Sequence, residues 1–177
     1  MMFQYSSADI QTQLDALPTL MRAWFGWLGL IVLLAPLSFV RRRQGRIALI
    51  FSAVFIPALL VIIHSSGITY VISWLHLLLW VPLLAYLARE VRVGRIAVAS
   101  PLGVWTLITV CTLVVSLVFD LRDGIRWLAG ERGIINPQPS IYLPFVTIPA
   151  MILAFALTAW YLGPAIRGTA NRLRPGS

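Results

Sequence analysis

Five apolar runs, each close to the length needed to cross a bilayer, occupy most of this chain and leave only short polar connectors between them. A hydrocarbon core about 30 Å thick takes roughly 20 residues of helix at ~1.5 Å per residue. Backbone N–H and C=O groups are too costly to leave bare in that medium, so each run must satisfy its own hydrogen bonds as a helix. The runs fall at about 23–40, 47–63, 68–87, 101–119 and 141–161. The expected fold class is an all-α integral membrane protein, a five-transmembrane-helix bundle.

Composition agrees. Hydrophobic residues make up 59% of the chain, charged residues 11%, and the mean hydropathy is +0.87. A soluble domain carries about a quarter charged residues and could not hide this much apolar surface. With 177 residues there is room for one bundle, 23–161. It is preceded by an external amphipathic segment, 1–22, and followed by an arginine-rich cytoplasmic tail, 162–177.

The net charge of +8 would point to nucleic acid if it formed a soluble basic face, but it sits in clusters at the ends of the runs. No nucleic-acid partner is expected; the bilayer is. All 14 basic residues are arginine. Ten of them follow the first, third and fifth runs, among them Arg41, Arg42, Arg43, Arg46, Arg89, Arg92 and Arg95. The other side holds Arg22, Arg122, Arg126 and Arg132. Arginine-rich connectors stay in the cytoplasm, which sets an N-out/C-in orientation in a bacterial inner (plasma) membrane. The first basic residue, Arg22, comes after Asp9 and Asp15 rather than in a positive leader, so the first run is expected to remain in the mature protein.

Local signals fill in the connectors. Ser6 and Asp9 have capping-box spacing, with Ile10, Leu14, Leu17 and Met21 on one helical face, which predicts a short amphipathic helix on the membrane surface. Ser100 before Pro101 marks a helix start. In the external loop 120–140, Asp120 and Asp123 have capping spacing and Gly130 is placed as a stop, so a second surface helix is expected there. Arg122, Asp123, Arg126 and Trp127 make it a candidate interfacial site for a lipid headgroup or a partner. Prolines Pro36, Pro57, Pro82, Pro101, Pro144 and Pro149 occur across all five runs and predict kinks.

Trp24, Trp27, Tyr70, Trp74 and Tyr142 fall toward outer ends, and Tyr86, Trp105, Trp160 and Tyr161 toward inner ends, as headgroup anchors would. Trp80 lies deeper than such a belt.

Few residues carry chemistry. His76 is the ionisable group placed well inside a run, and such groups are functional candidates. Counting from a helix start at 68, His64 lies well above it, an awkward geometry for a shared haem, so the pair His64 and His76 is only a weak ligand candidate. Thr109, Thr112, Ser116 and Asp120 share a face of the fourth run that reaches the outer surface, a candidate polar lining. Ala150, Ala154 and Thr158 form a small-residue stripe suited to helix packing. Cys111, the sole cysteine, excludes an intrachain disulfide. No phosphate loop, HExxH pair, GxSxG elbow or cysteine cluster is present, so no enzyme activity, cofactor or metal is expected. The leading expectation is a non-catalytic accessory or assembly subunit acting through helix-helix contacts, with other membrane subunits or itself. The alternatives are a small oligomeric transporter or channel and, more weakly, a haem-binding electron carrier.

Overall fold

The structure, a computed structural model, describes residues 4–132 and 143–172, the side chains of 143–147 and 169–172 excepted. The expected anchor Tyr142 and the side chain of Pro144 lie outside it. Six α-helices follow in order: α1 (Ser7–Asp15), α2 (Thr19–Leu28), α3 (Arg43–Ser66), α4 (Ile72–Arg92), α5 (Pro101–Leu128) and α6 (Leu143–Arg172). No strand occurs among the described residues. α2 continues through a widened π-helical stretch, Gly29–Leu34, and a tight 3-10 stretch, Ala35–Phe39.

Five rods among the described residues are long and apolar enough to cross a membrane: Thr19–Phe39, Arg43–Ser66, Ile72–Arg92, Pro101–Leu128 and Ile148–Gly168. They match the five expected runs one for one. α4 and α5 pack most extensively on each other, with Leu83, Leu87, Val110 and Leu113 wholly buried. Half of the most apolar stretch of α5 is buried, against 6% of that of α6, so α5 is the central rod and α6 a peripheral one.

The irregularity in the first rod has a cause in Pro36. Proline has no N–H, so it cannot donate to the carbonyl four residues back, Val32, or five back, Ile31. The Ala35 N–H is already spent on Leu30. Side chains from two other helices donate instead. Ser52 Oγ of α3 lies 3.2 Å from the Val32 oxygen, sharing its one proton with the Ala48 carbonyl at 3.0 Å, and Trp105 Nε1 of α5 lies 3.1 Å from the Ile31 oxygen. Trp105, expected as a headgroup anchor, is 6% exposed and spends its N–H on this backbone repair. Neighbouring helices meet the demand that lipid cannot.

The first rod starts at Thr19 rather than 23, and α6 continues to Arg172, through most of the expected tail. Two further boundaries bear on the site. The third rod starts at Ile72 rather than 68, because Gly67 caps α3 at φ +74° and Ile68 to Val71 form the turn. A side chain at Gly67 would also press on the Gln13 amide, which accepts the Ile68 N–H at 2.8 Å. The second is at the far end of α5. The expected surface helix beginning at Asp120 is no separate element: α5 runs unbroken to Leu128 and stops at Gly130, φ +100°. A lone helical glycine costs only about 1 kcal/mol, and bare Gly124 lies against the Trp74 ring, where packing offsets that cost. At ~1.5 Å per residue the 28 residues of α5 reach about 42 Å, well beyond a hydrocarbon core.

The predicted capping box on α1 forms, with Ser6 N to Asp9 Oδ2 at 2.8 Å and Asp9 N to Ser6 Oγ at 3.2 Å. Its apolar side finds cover within the chain. Ile10 and Leu17 are buried, and the Gln4 and Tyr5 N–H groups donate to the His64 carbonyl at 2.9 and 3.0 Å. α1 thus closes over the α3–α4 turn.

Candidate functional site

Among the described residues, the buried acidic side chains stand at two places. The first is where α4 and α5 cross below the α1 lid. His76 lies one turn into α4 and Asp120 two turns before the end of α5. His76 Nδ1 is 2.7 Å from Asp120 Oδ1, with the two side chains 12% and 10% exposed. An ionised carboxylate only accepts, so with Asp120 ionised the imidazole carries its proton on Nδ1. Ser116 Oγ donates to the other carboxylate oxygen at 3.2 Å. Low dielectric around this pair strengthens the hydrogen bond and raises the penalty for losing either partner.

Aromatic rings fix the imidazole. Trp80, the tryptophan that fits no belt, lies parallel to His76 with ring centres 4.0 Å apart and planes 9° apart. Phe55 of α3 is 5.2 Å from His76 and 5.4 Å from Trp80, so the three rings form a triangular cluster. One turn of α4 places His76 and Trp80 on the same face, which is why they meet.

The expected polar face of α5 is real but turned inward. Thr109, Thr112, Ser116 and Asp120 are all buried. Thr109 Oγ1 donates to the Trp105 carbonyl at 2.8 Å, and Thr112 Oγ1 accepts from Trp27 Nε1 at 3.0 Å. These hydroxyls are occupied by their own helix or by the first rod. Ala150, Ala154 and Thr158 likewise turn half-buried toward the bundle, where α6 meets α5 and α4.

The second place is Glu90, which sequence reasoning passed over as the closing charge of the third run. It is 2% exposed and receives Arg95 at 2.8 Å and Gln44 at 3.0 Å, tying the start of α3 to the end of α4. The signal was present: a single acid stands among the seven arginines from Arg41 to Arg95.

The expected interfacial set divides differently. Asp123 pairs with its neighbour Arg122 at 2.5 Å. Arg126 reaches past Gly130 to Glu131 at 2.6 Å and lies over the Tyr70 ring at 4.5 Å. Trp127 carries Arg132 on its face at 4.9 Å.

His64 and His76 are closer in depth than counting from 68 implies, since α4 starts at Ile72, yet their surroundings differ. His64 Nδ1 faces the Leu60 carbonyl at 3.1 Å, while His76 Nδ1 is held by Asp120. A carboxylate behind an imidazole also occurs at metal sites, but no group of three His, Cys, Asp or Glu among the described residues could hold a metal ion.

Comparison of the chain with protein-family models, with curated proteins and with solved structures returned no match in any of the three. Its class therefore rests on the fold: an all-helical chain with five helices long and apolar enough for a multi-pass membrane protein.

Proposed function

We propose that the chain is a non-catalytic, multi-pass protein of a bacterial inner membrane, N-out/C-in, that serves as an accessory or assembly subunit through helix-helix contacts. One observation carries this reading. α6 is the least buried of the five rods, and its outer side presents Ile148, Ile152, Phe155 and Ala159 at spacings of four, three and four. That spacing is the seam of a helix pair. Lipid gives helices no hydrophobic reason to associate, so packing holds them together; a rod with so little of it inside its own chain gains most from a second protein. Gentle extraction followed by native mass analysis is expected to recover a heteromeric complex. Recovery of the chain only as a monomer or homo-oligomer would contradict the proposal.

A second reading, a small oligomeric transporter, draws on the His76–Asp120 pair, since buried ionisable pairs mark ion paths in membrane proteins. It requires solute or ion flux in liposomes that Asp120→Asn alters, and flux unchanged by that substitution would remove it.

A further inference from the structure

Every carboxylate side chain of this protein is already engaged. The chain has six acidic residues. Asp9 is held by Ser6, Asp15 faces Arg22, Glu90 holds Arg95, Asp120 holds His76, Asp123 holds Arg122 and Glu131 holds Arg126. Arg92 makes no ion pair among the described residues, and each of the six acidic side chains already holds another partner.

Arg92 also stands at the end of a groove. α4 and α6 separate enough to leave an apolar cleft of about 280 Å³, walled by Leu84 and Ala88 on one side, Leu157, Trp160 and Tyr161 on the other, with Val110 of α5 as its floor. Leu84, Ala88 and Arg92 are four residues apart, so they form one stripe along α4 that leads from the cleft to the guanidinium. Arg92 rests on the face of Tyr161, 4.2 Å from the ring centre, which holds it at the mouth. A guanidinium held over a ring can still offer its planar N–H fork to a phosphate.

We infer that this groove is a binding site for one anionic phospholipid, an acyl chain lying in the α4–α6 cleft and the phosphate on Arg92. The charge complementarity is one-sided, because Arg89, Arg92 and the Arg41–Arg46 cluster share this end and basic pockets between membrane helices select anionic headgroups. The site faces the Leu157 and Trp160 side of α6, away from the Ile148–Ile152–Phe155 stripe, so it depends on insertion in a bilayer and not on the proposed partner.

The test is native mass analysis of the intact protein after exchange into detergent with phosphatidylglycerol or phosphatidylcholine. The wild type should retain one phosphatidylglycerol at a concentration where phosphatidylcholine is lost. Arg92→Gln should weaken that retention at least tenfold. Ala88→Phe, which fills the cleft and keeps the charge, should weaken it similarly, so a failure of either variant to fold leaves the other to decide. Glycerol phosphate at equal concentration should not displace the lipid. Equal retention of both lipids, unchanged retention in either variant, or displacement by glycerol phosphate would each overturn the assignment.

Discussion

Pro36 and Trp105 are bound to one another's consequences: the proline withholds a backbone N–H from Ile31, and the indole of Trp105, on another helix, supplies the missing donor at 3.1 Å. The kink and the helix-helix contact are thus one feature. Leaving a buried carbonyl without a donor costs about 1–3 kcal/mol. Trp105→Phe should lose about that much in SDS-titrated unfolding. In a Pro36→Ala background, where residue 36 can donate again, the same change should cost measurably less, and equal costs in both backgrounds would refute the coupling.

Asp120 should matter more to stability than its place on a sequence map implies. Removing one partner from a buried pair leaves the other unpaired, at about 3–5 kcal/mol. Asp120→Ala is expected to fall in or somewhat below that range, given the slight exposure of the site, and Asp120→Asn, which still accepts from Nδ1, to cost clearly less. The same SDS titration reads both. Equal losses would mean the carboxylate charge, not the hydrogen bond, carries the contact.

The docked α1 should loosen in acid. The Ser6 hydroxyl, and after it the Ser6 N–H, hold the Asp9 carboxyl below its ordinary 3.8. A group whose folded pKa is depressed contributes stability that is complete above the unfolded value and is lost as pH falls through the folded one. Amide exchange at Gln4 and Tyr5, whose N–H groups cap onto His64, should therefore accelerate below pH 3.8 beyond its intrinsic pH dependence. Asp9→Asn should abolish that extra acceleration.

Orientation has its own reading. With Cys111 replaced by serine, Ala99→Cys in the connector after α4 and Ala129→Cys after α5 lie at opposite ends of the bundle, both exposed. A membrane-impermeant maleimide should label Ala129→Cys in intact cells and Ala99→Cys only after permeabilisation. The reverse pattern would invert every connector.

Much of the fold was legible because lipid imposes a length and a polarity that sequence displays directly. The five rods, the Ser6–Asp9 box, the Ser100 cap that receives the Gly103 N–H at 3.0 Å and the Gly130 stop all depend on neighbouring residues. What escaped depends on residues far apart in sequence. Asp120 reads as a loop cap until Gly124 is seen against Trp74, and Glu90 reads as a surface charge until Gln44 closes on it. His76 was marked by its depth, but Trp80 had no reason until the two rings met. Spacing placed the α5 hydroxyls on one face without saying where that face points; burial shows it turned into the bundle.

The partner surface on α6 can be probed in living cells. A photoreactive benzophenone residue replacing Ile152, on the outer stripe, should give a discrete adduct with a different membrane protein. The same residue at Thr158, on the inward side, should give none. Lipid adducts alone from Ile152, or adducts only to a second copy of this chain, would contradict the role proposed for it.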